Sequence, residues 1–356
     1  MKINLVILEK DKEYLSRLVN VFNTKYADKL EIYSFTDFDS AMESIDDINF
    51  DVFLVGDGFN VRPDMLSKKC GFAYFVGRMN KDRTDSSRII QKYQKPDLIY
   101  KQILDIYSDT SAGSGGLDTT FGDKNSKLIV FTSPCGGCGT SSMAAACAIN
   151  LSTNGKKILY LNLEKFGMSD SFFSGDGQFD LSDVIFALKS RKTNLSLKLE
   201  SCVKHDPCGV YFFSQCIHAL DIVELTGSDI IQLLSEIARM GVYDAIILDK
   251  DFSLDKDSID ILSRADAIVW VSDGTDISNV KIRRAYDALT IMEQNTNNSL
   301  INKTLLAYNK FSSKGGKMID DIGIRKAGGA PRYAQATVRQ VVGQLATTDI
   351  FDKIME

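Results

Sequence analysis

At 356 residues the chain exceeds the roughly 250 that one core usually supports, so two domains are expected. Its 44% hydrophobic and 25% charged residues are globular in balance, and no apolar run approaches the ~18 residues of a membrane span. A net charge of −5 and a pI near 5.3 argue against a broad basic surface for nucleic acid, and seven cysteines behind an amino terminus without an export signal point to free thiols in a cytoplasmic protein.

In chain order, Ile3 to Leu8, Leu30 to Ser34, Asp51 to Val55 and Phe72 to Val76 read as short strands. They alternate with helical stretches near Lys12 to Asn23, Phe38 to Ile45 and Arg88 to Tyr93. Such alternation predicts a small doubly wound sheet over residues 1–108. Ile7-Leu8-Glu9-Lys10-Asp11 after the first strand and Gln94-Lys95-Pro96 before the last helix give this half a resemblance to response-regulator receiver domains. The acidic pair of that family reads Glu9 and Lys10 here, and its phosphoacceptor position holds Gly56, with Asp57 one residue late and turned to the other face. The resemblance therefore implies a receiver-like docking or dimerisation domain that is not phosphorylated. Residues 109–125, rich in Gly, Ser, Thr and Asp, carry no periodicity and read as a linker.

From residue 126 the alternation returns on a larger scale, with apolar runs at Leu128 to Phe131, Ile158 to Leu163, Val210 to Phe213, Ala245 to Leu248, Ala267 to Val271 and Thr304 to Tyr308. Runs without a polar face predict parallel strands covered by helices on both sides. The first is followed by Thr132-Ser133-Pro134-Cys135-Gly136-Gly137-Cys138-Gly139-Thr140-Ser141-Ser142 and then by a helix over Ala144 to Leu151. A strand, a glycine-rich turn and a helix start aim several backbone N–H groups and the helix dipole at one spot, which suits phosphate.

Cys135 to Ser142 resembles the deviant Walker A loop of the MinD/ParA family of P-loop ATPases in length, glycine spacing and hydroxyls. Cys135 and Thr140 stand at that family's two lysine positions, so the resemblance implies ATP binding with weak or absent hydrolysis. It assigns Cys135, Gly136, Gly137, Cys138, Gly139, Thr140, Ser141 and Ser142 to the nucleotide, and Ser141 to Mg2+ as well. Tyr243 to Asp249 is similar to the Walker B strand, making Asp249 the second metal residue. Asn162 and Glu164 occupy the family's Asp-x-Asp positions, which gives Glu164 a water-positioning role beside Asp249. Asn309 and Lys310 fall where an Asn reads the adenine edge, and Pro331, with Arg332, flanks the base. Lys165, Lys250 and Arg332 are candidates to replace the lost phosphate charge.

Other readings compete. Cys135 and Cys138 also form a Cys-x-x-Cys at a helix start, a redox arrangement, but the Walker B-like strand and the size of the domain weigh against it. Cys202, His205 and Cys208 make a weak zinc pattern. A partitioning ATPase would need DNA contact through Lys310, Lys314, Lys317, Arg325, Lys326 and Arg332, a stretch that also holds Asp320 and Asp321. A nucleotide-free scaffold is the remaining alternative. The terminal segment from Thr347 to Glu356 is too acidic for an amphipathic membrane anchor.

The whole chain resembles the CpaE/TadZ family of Flp (tight adherence) pilus assembly proteins. That implies two doubly wound three-layer α/β domains, a flavodoxin-like receiver (1–108) and a MinD/ParA-like P-loop NTPase domain (126–356). It also implies ATP and Mg2+ as ligands, a homodimer, partners in the Tad/Flp secretion machinery, a cytoplasmic and often polar location, and neither nucleic-acid binding nor membrane insertion.

Overall fold

In the computed structural model, the described residues are 2–45, 48–66, 70–77, 88–110, 126–190, 194–294 and 299–354; the predicted linker lies almost wholly outside them. The chain divides into two units, one of residues 1–120 and 186–202, the other of 121–185 and 203–356.

The first unit runs β1 (Ile3–Leu8), α1 (Lys12–Lys25), β2 (Leu30–Phe35), α2 (Phe38–Ile45), β3 (Val52–Gly56), β4 (Gly71–Val76), β5 (Ile89–Gln91) and α3 (Pro96–Thr110). Its strands are parallel in the order β2-β1-β3-β4-β5, the flavodoxin-like winding. Asp11 caps α1 by accepting from the N–H groups of Glu13 (3.1 Å) and Tyr14 (3.0 Å). Leu15, Leu18 and Phe22 of that helix fall on one face and are buried against the sheet. The helix expected over Arg88 to Tyr93 is not one: Ile89 and Ile90 pair with Tyr74 and Phe75 as the edge strand β5. Two β-branched residues beside an open strand edge favour the ladder, and the segment is too short for a helix to compete.

The second part continues as β6 (Lys127–Thr132), α4 (Thr140–Thr153), β7 (Ile158–Asn162), α5 (Leu181–Ser190), α6 (Leu195–Cys202), β8 (Lys204–His205), β9 (Tyr211–Phe212), α7 (Ala219–Val223) and α8 (Gly227–Arg239). There follow β10 (Ala245–Asp249), α9 (Lys256–Ser263), β11 (Ala267–Ser272), α10 (Asp276–Gln294), α11 (Leu300–Lys303), β12 (Thr304–Phe311), β13 (Arg325–Pro331) and α12 (Val338–Leu345). The eight-stranded sheet has the order β13-β12-β11-β6-β10-β7-β9-β8, parallel except for the edge pair β8 and β9. Every apolar run read from the sequence is one of its strands. β6 lies between β10 and β11, and a crevice beyond the carboxyl ends of central strands is where open α/β sheets bind ligands. β7, β10 and β11 are buried along their whole length, with Trp270 fully enclosed, so the floor of that crevice is rigid.

Helix α6 belongs to the first unit although it lies far along the chain: Leu197 joins the core under α3, and Lys198 pairs with Asp105 of α3. Among the described residues no helix is long and apolar enough to cross a membrane.

Candidate functional site

The turn after β6 has the backbone that its glycines permit. Gly137 (φ 77°) and Gly139 (φ 83°) are left-handed, and a Cβ on Gly136 or Gly137 would meet nothing within 4 Å, so both face open space. Gly139 caps α4, and the first helical bond is that of Met143 N–H to Gly139 O at 3.1 Å. The N–H groups of Thr140, Ser141 and Ser142 therefore have no helical acceptor, and the dipole of a 14-residue helix adds to them. This is an anion cradle.

Both cysteines of the loop turn away from it. Cys135 and Cys138 are buried against the first turn of α10, where Cys135 Sγ lies 3.4 Å from Ser278 O and Cys138 Sγ 3.8 Å from Ser278 Oγ. Cys135 N–H is held by Ser133 Oγ at 2.9 Å. The shared thiol hydrogen bond, together with burial, pushes Cys135 up, and the same bond holds Cys138 down against the opposing effect of its burial. Both predicted contacts thus place their thiols against α10, and any contact they make with a ligand falls to their backbone.

At the far side of the cradle Ser141 Oγ donates to Glu164 Oε2 at 2.8 Å. Asp249, at the end of β10, is fully buried; its Oδ2 accepts from Tyr160 OH (2.8 Å) and Asn162 Nδ2 (3.2 Å), while its Oδ1 has no partner. Burial and the nearby Glu164 carboxylate push Asp249 well above the usual carboxylate range. Asn162 Oδ1 in turn accepts from Glu164 N–H at 2.9 Å, fixing the turn that presents Glu164. The structure thus brings Ser141, Glu164 and Asp249 together. An orphaned buried carboxylate oxygen, a second carboxylate and a hydroxyl form a hard-oxygen donor set, and it fits a divalent cation held mainly by phosphate and water.

Asn309 is where the sequence predicts the base-reading amide, but its geometry differs. It is buried, its Nδ2 donates to Cys138 O at 2.8 Å, and its Oδ1 accepts from Lys310 N–H at 2.9 Å. Both ends of the amide are thus engaged within the protein, and Asn309 staples the loop to β12. Lys310 reaches the loop from the same strand, its Nζ donating to Gly137 O at 2.8 Å. Pro331 ends β13 in register with Phe311 and is exposed, as is Arg332. Of the three residues named as substitute cations, Lys250 is turned to Ser258 Oγ (3.2 Å), and burial lowers its pKa; Lys165 and Arg332 lie on the surface. Sequence reasoning missed the supporting roles of Tyr160 and Ser278, which carry no motif.

In the first unit the receiver pocket is filled from within. Lys92 Nζ lies 2.7 Å from both Glu9 Oε2 and Asp57 Oδ1, so Asp57, expected on the other face, meets the same lysine as Glu9 because it lies just past the strand end; a Cβ on Gly56 would approach Glu9 Oε2 to 2.5 Å. The lysine is therefore Lys92, directly after β5, and not the Lys95 that the Lys-Pro pair suggests. Among the described residues no cluster of His, Cys, Asp and Glu could hold a metal by itself; Cys202 belongs to the first unit, His205 and Cys208 to the second.

Residues 1–108 match the sequence model of the TadZ-like receiver domain. A ParA family ATPase from Chlorobium tepidum TLS superimposes with a TM-score of 0.52 at 20% identity, over 66% of this chain and 99% of that one. The MinD cell division protein of Aquifex aeolicus gives 0.48 at 17% identity, over 65% and 97% of the two chains. The MinD of Pyrococcus horikoshii OT3, solved with Mg-ADP, gives 0.46 at 13%, over 62% and 94%. Comparison with curated proteins gives no match.

Proposed function

We propose that this chain, a TadZ-like receiver domain followed by a domain of the ParA/MinD fold, is an ATP-binding assembly and localisation factor for a Tad-type pilus secretion machinery. The observation that carries the nucleotide reading is the convergence, at the end of β6, of the glycine cradle with Ser141, Glu164 and the orphaned Asp249 oxygen. The cradle N–H groups hold the phosphates, Ser141 and Asp249 hold Mg2+, and Glu164 positions water. When bound, Mg-ATP would supply the polyphosphate and the divalent cation that these groups complement.

Catalytic power is weak because no lysine extends from the loop itself, and developing phosphoryl charge is where such a cation counts most. Two copies meet across the nucleotide in this reading. A cleft of about 220 Å³ is lined by Glu164 together with the exposed Phe166, Met168 and Ile217, an apolar rim suited to burial against a second chain. The filled receiver pocket leaves the first domain a docking role, and through its partners the protein takes a polar position in the cytoplasm.

Calorimetry with ATP and ADP, with and without Mg2+, beside a turnover assay on the same preparation, tests this. We expect Mg2+-dependent ATP binding and turnover at least about 100-fold below the ~1 s⁻¹ floor of ordinary enzymes. Ordinary turnover rates would show that another group restores full catalysis, and absence of binding would leave a scaffold without nucleotide.

A further inference from the structure

The cradle has one feature that its motif does not explain. A loop built to hold a polyphosphate carries no cation of its own, since Cys135 and Thr140 stand where lysines are expected and both cysteines face inward. Backbone N–H groups and a helix dipole offer only partial charges. A lysine does reach the loop, from the end of β12.

Lys310 has φ 56°, and among the described residues only Gln335 is another non-glycine in that left-handed region. For a side chain with a Cβ this conformation costs about 1–3 kcal/mol and persists only where the surroundings enforce it. Here Asn309 enforces it, since its Oδ1 holds the Lys310 N–H while its Nδ2 grips the Cys138 carbonyl. The result sends the Lys310 side chain back across the loop to Gly137 O. Gly139 makes room for both residues: a Cβ there would collide with Asn309 Nδ2 and come within 3.4 Å of Lys310 Cε. Strained backbone, amide staple and glycine thus converge on one outcome, an ammonium at the edge of the cradle.

That ammonium rests on a neutral carbonyl, and Lys310 is exposed. A phosphate oxygen is the stronger acceptor for an ammonium, because its negative charge adds ion-pair attraction to the hydrogen bond that a neutral carbonyl already accepts. Four methylene groups give Nζ the reach to leave Gly137 O for a ligand seated on the exposed glycines.

Building on the nucleotide-binding reading, we propose that Lys310 is the cation of the cradle: it neutralises the bound polyphosphate from the same chain, in place of the two absent loop lysines. It is a binding residue and distinguishes ligands by phosphate charge, not by the base.

The test uses the full chain with Lys310→Met, which keeps the stem, Lys310→Arg, which keeps the charge, and Lys314→Met as a surface control. Calorimetry is run with Mg-ATP, with inorganic tripolyphosphate and Mg2+, and with adenosine. We expect Lys310→Met to weaken Mg-ATP and tripolyphosphate by about 10- to 100-fold, an effect that shrinks as salt rises, while adenosine changes by less than about twofold. Lys310→Arg should stay within about threefold of the parent, and Lys314→Met should match it. Unchanged Mg-ATP affinity in Lys310→Met, or equal losses for Mg-ATP and adenosine, would overturn the assignment, the latter by making Lys310 a structural staple. If the unaltered chain bound neither Mg-ATP nor tripolyphosphate, the nucleotide reading itself would fall.

Discussion

Asp249 concentrates the chemistry of the second domain in one side chain. Its carboxyl is wholly buried, holds two donors on Oδ2 and none on Oδ1, and is pushed up by burial and by Glu164. Because its folded pKa lies above the unfolded value of about 3.9, the protonated form favours folding, and that contribution fades as pH rises through the folded pKa. At pH values well above the unfolded pKa this buried carboxyl is therefore a cost to the free protein, which a bound cation would offset. Asp249→Asn keeps the acceptor for Tyr160 and Asn162 while removing the charge. It should therefore raise the melting temperature of the free chain near neutral pH, by about 2–4 °C for each kcal/mol relieved, and lose that advantage near pH 4. The same variant should bind ATP with little response to Mg2+. Melting curves from pH 4 to 8 and paired titrations check both; a variant that melts lower at pH 7 and keeps its Mg2+ response would deny Asp249 this role. The acid was legible in the sequence because an apolar strand ended in it, whereas its unpartnered oxygen depends on Tyr160 and Asn162, whose contacts no motif announces.

Among the elements, long buried strands and the helices α1, α2 and α4 were the legible part, whereas short or edge elements and the later helices, α8, α9, α10 and α12 among them, were not. β5 read as helix because its three residues say little without β4 beside them, and β13, with glycines at 328 and 329, carries none of the usual strand signal. The same limit hid Lys92, which a register of pairing and not a Lys-Pro dipeptide brings to Glu9. α6 is the clearest case, since nothing in its eight residues says that it packs on α3. There Lys198 and Asp105 pair while nearly buried, and Glu200 accepts from Tyr100 OH at 3.2 Å. Burial raises Asp105 in spite of the lysine, the sign of a pair whose attraction falls short of its desolvation. Lys198→Ala should therefore cost about 3–5 kcal/mol by leaving a buried acid without its cation, whereas Lys198→Met with Asp105→Leu should stay within about 1 kcal/mol of the parent. Urea denaturation followed by circular dichroism measures both. A harmless Lys198→Ala would mean that α6 is not held through this pair.

Across the whole molecule, charge bears on the choice between the proposed secretion-machinery factor and a partitioning ATPase. The chain carries 42 basic and 47 acidic residues, and the one stretch that could meet DNA is partly neutralised by its own neighbours. Lys326 pairs with Asp320, and Lys310 is drawn to Gly137 O. In the segment from Asp349 to Ile354, Ile350, Phe351 and Ile354 are buried in the fold. A protein that used all six residues of that stretch on phosphates would show a log–log salt slope of about −5. The expected outcome is no measurable affinity for duplex DNA at low salt, with or without Mg-ATP. A slope steeper than about −3, together with tight binding at low salt, would instead favour partitioning, because only phosphate contacts made by several cations at once produce such a dependence.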